Sequence, residues 1–258
     1  MKQLKQYKMK QSINSLLGYT IKGTDGEIGK VEEFFFDDQT STIRYVVVKT
    51  GGWFSEKKVL ISPEAFQKLD CESKKLSVNL TQEKIKNSPD IETDKPVSEQ
   101  QEELIRGYYS WPGDYGNGMY GHMGLGMWGY PLVEVRETEK EMIQRKTEKQ
   151  ANENPHLRST QEVTGYDIHT TDGNIGKVEN FIIDDVSWKI HFLIVETGNW
   201  FSGKKVIISP RWIKDVKWQE QIVTINHSKE EVKNSPEYDS SQPIIDSYEH
   251  SLNDYYEK

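Results

Sequence analysis

The apolar positions of this chain come in short runs cut by Gly, Asp, Asn and Pro, the punctuation of strands and tight turns rather than of long helices. Gly18 to Lys22 predicts a short strand. Thr24-Asp25-Gly26 predicts a turn, because Asp-Gly tolerates the positive φ of a tight hairpin. Glu27 to Asp37 returns as a long strand in which alternation fails at Gly29, the mark of a bulge. Asp37-Asp38-Gln39-Thr40 reads as the next turn. Ile43 to Thr50 (IRYVVVKT) is β-branched and aromatic, and both its faces become apolar toward the end, as in a strand covered on both sides. Gly51-Gly52 turns the chain into a strand over Lys57 to Ile61. Ser62-Pro63-Glu64 has the cap, the first-position proline and the first-turn acid of a helix start, and predicts a brief helix. Lys75 to Leu80 predicts a last strand, Thr81 to Lys86 a short helix, and Asp94 to Tyr109 a polar helical arm. Five or six short strands in about 75 residues indicate a small β-barrel or sandwich, since closure removes exposed edges.

The whole pattern then occurs again. GYTIKGTDGEIGKVEEFFFDD from Gly18 matches GYDIHTTDGNIGKVENFIIDD from Gly165, an offset of 147 residues. At the same offset Thr50–Pro63 matches Thr197–Pro210, Glu83–Pro89 matches Glu230–Pro236, and Tyr108-Tyr109 fall on Tyr255-Tyr256. In the second copy Ser228 to Glu231 writes a capping box ahead of the short helix. Two copies of one unit, residues 12–110 and 155–258, are thus joined by residues 111–154. The joining segment is rich in Gly, Met and aromatics over Trp111 to Pro131 and highly charged from Leu132 to Gln150.

Composition narrows the function. Among 258 residues Lys+Arg number 33 and Asp+Glu 41, a net charge of −8, which argues against a nucleic-acid partner, whose binding face is basic. Cys71 is the single cysteine, so neither an intramolecular disulfide nor a cysteine-based zinc site is expected. The start has no apolar core of a secretory signal, and no run of apolar residues is long enough to span a membrane. A cytoplasmic protein is the expectation, with peripheral membrane contact left open.

TDGEIGKV, FFFDD, IRYVVVKTGGWFSEKKVLISP and the NSPDIETDKP tail ending in Tyr-Tyr-Ser-Trp-Pro, in that order, resemble the PRC-barrel family. The family is named for the cytoplasmic barrel of the photosynthetic reaction-centre H subunit and also includes the C-terminal domain of a ribosome-maturation factor. The chain is similar to the tandem bacterial type. The resemblance covers about Ser12 to Tyr109 and Leu157 to Tyr256. It implies a mainly β fold of two small PRC-type barrels in tandem, each followed by a short helical arm, that binds proteins and catalyses nothing.

The candidate chemistry is sparse. None of the six histidines has a histidine at its repeat counterpart: His169 falls on Lys22, His191 on Arg44, His227 on Leu80. Isolated surface or strand histidines are expected, with no catalytic constellation. Asp25/Asp172, Glu32/Glu179, Asp37/Asp184 and Asp38/Asp185 are shared acids; turn hydrogen bonds are the expected role, and a divalent cation the rival one. Cys71 aligns with Trp218, so no nucleophile is expected there. Met119, Met123, Met127 and His122 are soft donors for Cu(I), but packing of this Gly- and aromatic-rich stretch on a barrel is the expected role. No cofactor and no metal are expected.

The shared WFSxKK loop sets Trp53 beside Lys57 and Lys58, and Trp200 beside Lys204 and Lys205. It serves either as a binding edge or as a cap on the core with lysines guarding an edge strand. With Tyr108, Tyr109, Trp111 and Trp128 these residues form the candidate interaction surface. The expected function is a non-catalytic adaptor with protein partners, and with barrel–barrel packing inside the chain or between copies of it. The alternative is an accessory subunit of a membrane electron- or proton-transfer complex, like the reaction-centre H subunit.

Overall fold

The computed structural model describes residues 10–51, 57–89, 99–111, 156–197, 204–239 and 244–256. The first repeat runs β1 (Lys10–Ser12), α1 (Ile13–Leu16), β2 (Thr20–Lys22), β3 (Glu27–Asp37), β4 (Thr42–Thr50), β5 (Lys58–Ile61), a 3-10 turn (Pro63–Ala65), β6 (Phe66–Asp70), β7 (Lys75–Val78), α2 (Gln82–Lys86) and α3 (Glu99–Tyr109). The second runs β8 (Leu157–Ser159), α4 (Thr160–Val163), β9 (Asp167–Thr170), β10 (Gly173–Asp184), β11 (Ile190–Glu196), β12 (Lys205–Ile208), a 3-10 turn (Pro210–Trp212), β13 (Ile213–Lys217), β14 (Ile222–Ile225), α5 (Lys229–Lys233) and α6 (Asp246–Tyr256). The two sheets form one compact unit, whereas α3 lies in another, Asn87–Pro155.

Each sheet has seven strands. Six follow the order β5-β4-β3-β2-β7-β6 in the first and β12-β11-β10-β9-β14-β13 in the second. The expected closure is not reached: no ladder joins β5 to β6 or β12 to β13 among the described residues. Those end strands are consecutive in the chain, and the turn between them starts at Pro63 or Pro210, which have no N–H to give to a ladder. Chain connection rather than hydrogen bonding therefore holds the two ends of each sheet together. The brief helix expected after Ser62 is this 3-10 turn, with the Ser62 hydroxyl accepting from the Glu64 amide at 3.4 Å.

Apolar continuity explains the core. Phe34, Val46, Val47, Val48, Val59 and Ile61 are inaccessible to solvent, each such side chain stabilising the fold by about 1.5–3 kcal/mol relative to exposure. The bulge expected at Gly29 falls one residue earlier: Ile21 faces Gly29 but Lys22 faces Glu27, so Ile28 is the extra residue. Ile175 is its counterpart.

The seventh strand of each sheet comes from the other repeat. β1 pairs antiparallel with β10, Lys10 opposite Asp184 and Ser12 opposite Ile182. β8 pairs antiparallel with β3, Leu157 opposite Asp37 and Ser159 opposite Phe35. Shifted by 147 residues, the two registers are the same. Thr42 bridges Lys189, its own counterpart, and the flanking bonds are reciprocal: Ile43 N–H to Trp188 C=O at 2.8 Å, Ile190 N–H to Ser41 C=O at 2.7 Å. A residue can pair with its own counterpart in this way only beside a two-fold axis. The repeats are thus interlocked as a pseudo-dimer within one chain.

Candidate interaction surface

The shared acids hold turns and ladders. Asp25 Oδ1 accepts from the Gln82 amide and Asp172 Oδ1 from the Lys229 amide, both at 2.8 Å, tying each Asp-Gly turn to the start of the short helix. The Lys229 amide, with the Thr170 hydroxyl, holds the Asp172 carboxyl below its ordinary range. Asp37 Oδ1 accepts from the Thr40 amide at 2.7 Å, and Asp184 Oδ1 from the Ser187 amide at 2.6 Å. Burial by itself would raise Asp184, but the Ser187 amide and hydroxyl outweigh it and hold the carboxyl low.

Glu32 and Glu179 meet the candidate lysines. Lys58 Nζ lies 3.1 Å from Glu32, and Lys205 pairs with Glu179. Both lysines open strands that end the hydrogen-bond order of their sheet, where a charged side chain discourages further strand pairing. Lys57 Nζ donates to the Lys86 carbonyl at 2.8 Å, and Lys204 Nζ lies 3.1 Å from Glu237. The two lysine pairs therefore stand on separate sheets, at matching places. Trp53, Trp200 and Trp128 lie outside the described residues.

The ring residues of the arms cluster. Tyr109 stacks on Trp111 with centroids 4.2 Å apart and takes Tyr108 edge-on at 4.9 Å. Burial pushes the Tyr109 phenol up to about 12, partly offset by the Ser88 hydroxyl. The second arm repeats the theme with different neighbours. Tyr256, also pushed up to about 12 by burial, packs on Trp212 at 4.0 Å and His227 at 4.6 Å. Their counterparts in the first repeat are Ala65 and Leu80.

The interlocking of the sheets adds contacts that the sequence reading missed. At the first joint the Ser159 hydroxyl, on the donated β8, donates a hydrogen bond to the buried Glu33. Burial raises the Glu33 carboxyl, and the Ser159 hydroxyl and Lys58 only partly counter it. At the matching joint Asn180 stands in place of Glu33 and donates to Ser12 Oγ at 2.6 Å. Arg158 of β8 spans both repeats: its Nε lies 3.3 Å from Asp38 Oδ2, and its guanidinium sits 4.0 Å over the Trp218 ring. His156 Nδ1 lies 3.0 Å from the other Asp38 oxygen. On the opposite side Glu249 of α6 receives both Lys10 of the donated β1 and His191, at 3.4 Å from the latter. Burial opposes ionisation of Glu249, yet Lys10 holds its carboxyl low. For Glu33, Arg158, Lys10 and His191 the signal lay in the repeat comparison, as positions where the two copies differ, whereas Ser159, Asp38 and Glu249 have identical counterparts.

No helix of the described residues is long and apolar enough to cross a membrane, and no group of three or more His, Cys, Asp and Glu among them converges as a metal site. An uncharacterized protein of Deinococcus radiodurans is 31% identical over 104 residues, 38% of this chain and 37% of that relative. The chain thus spans little more than a third of the curated relative it matches. The PRC-barrel domain matches twice, over residues 10–85 and 157–232. Both matches begin at a donated strand and end in a short helix, and together they take in more than half of the sequence: the chain belongs to the PRC-barrel family.

Proposed function

We propose that this protein is a non-catalytic adaptor, a scaffold that offers one PRC-barrel docking surface twice. The observation that supports the reading best is the reciprocal strand exchange. Two linked sites gain affinity through effective concentration only when their spacing lets both engage. Here the exchanged strands β1 and β8 hold that spacing. In this reading residues 12–110 and 155–258 are the modules with their arms. Trp53 and Trp200 are the anchors, since aromatic side chains dominate binding energy at interfaces. Lys57, Lys58, Lys204 and Lys205 form a cationic rim that governs encounter rate. Tyr108, Tyr109, Trp111 and Trp128 form a further aromatic contact.

The test is in-cell crosslinking and mass spectrometry of tagged protein in three forms: full-length, a Trp53→Ala/Trp200→Ala double variant and a deletion of residues 111–131. The expected result is a protein partner that crosslinks to the full-length chain and drops by about tenfold in at least one altered form. Self-crosslinks alone in all three would contradict an adaptor.

A further inference from the structure

The symmetry of the two repeats is broken at several buried places, and one of them is a turn. The turn between β10 and β11 carries Trp188, whose φ of +55° is unusual for so large a side chain. Its ring lies edge-on to Phe66 of the first sheet, centroids 4.6 Å apart, and is 6% exposed. The turn between β3 and β4 is built the same way, φ +55° included, but the matching residue is Ser41. Ile213 is the counterpart of Phe66. Ser41 and Ile213 both line a cavity of about 210 Å³, open to solvent on one side, where the end of β3 and its turn meet the second sheet. Its wall is largely apolar: Phe36, Val163, Phe181, Leu193 and Val223 are buried, and the part-exposed Trp218, whose counterpart in the first repeat is Cys71, stands beside them. Asp38 and Gln39 stand at its more exposed side, and the Asp38 carboxylate is already engaged by His156 and Arg158.

Protein interiors rarely leave voids larger than a water molecule, and a cavity of about 150 Å³ lined by Leu, Ile and Phe stays dry and binds benzene. Phe181, Leu193 and Val223 in this wall correspond to Phe34, Val46 and Leu76 of the first repeat, whose Phe66 meets the Trp188 indole. We infer that the cavity between Ser41 and Ile213 binds a small planar aromatic molecule of indole size, which fills in the second barrel the place that the Trp188 side chain fills in the first. The ring packs on Phe36 and Phe181, and a ring N–H meets the polar side at Gln39 and Ser41.

Indole itself is the probe, titrated into the full-length protein and followed by methyl NMR. The expected result is saturable binding of one indole per chain, with shifts concentrated on the methyl groups of Val163, Leu193 and Val223. Ser41→Trp, placed on a backbone that already has the φ of Trp188, fills the cavity and weakens binding by about tenfold or more. Circular dichroism checks that this variant folds. Ile213→Phe, which copies Phe66, narrows the cavity from the opposite wall and weakens binding independently of the turn. Absence of saturable binding to the unaltered protein would overturn the inference, and that is the outcome if a side chain of this protein already fills the cavity. Binding that both folded variants leave unchanged would overturn it too.

Discussion

At Gly29 a Cβ would stand 2.1 Å from the Lys49 carbonyl oxygen, and at Gly176, where φ is +144°, 2.0 Å from that of Glu196. Neither oxygen can retreat without breaking the β3–β4 or β10–β11 ladder. Gly29→Ala is therefore expected to destabilise the protein by about 1–3 kcal/mol, read as a lower thermal midpoint; an unchanged midpoint would contradict the close approach. Gly29 was legible in the sequence as a break in alternation, although the close contact behind it was not. Glu33 was not legible at all, because its burial comes from a strand 126 residues away. Its carboxyl is raised in the fold, chiefly by burial. Such a group favours the folded state fully below its unfolded pKa, near 4.3, and that contribution is lost as pH rises through the folded value. Glu33→Gln, which approaches the neutral Asn180 of the other joint, should leave the midpoint unchanged near pH 4 and raise it at pH 8. Equal effects at both pH values would show that the carboxyl does not titrate with folding.

Among the elements, the strands with strong apolar patterns were legible: β3 and β4 stand at or within a residue of where the sequence placed them, and the capping box of α5 is present. β6 and β13 were missed because they end their sheets and show no buried alternation. β1 and β8 were missed for a different reason. Three residues carry too little pattern, and what makes them strands is a ladder in the other repeat. That exchange predicts the behaviour of a single repeat. Residues 155–258 alone retain β8 and the bare edge of β10, and two copies can supply each other's seventh strand. Light scattering should report about twice the monomer mass. A stable monomer would mean that β8 folds back onto its own sheet.

Across the whole molecule, duplication was legible from the constant offset, and mainly β character from the turn residues. How the copies meet was not, because Ser41, Thr42, Trp188 and Lys189 look like ordinary turn residues until the two turns are seen to hydrogen-bond across a pseudo-two-fold axis. The joint packs the two repeats into one compact unit, and the adaptor reading depends on the joint holding their spacing. It is most directly tested by hydrogen exchange on the full-length protein, at the amides of β1 and β8. Strands that belong to the joint are expected to exchange as slowly as the β3 and β10 segments they pair with, opening only with global unfolding. Exchange of both strands at the rate of free peptide, with β3 and β10 still protected, would contradict the interlocked pair.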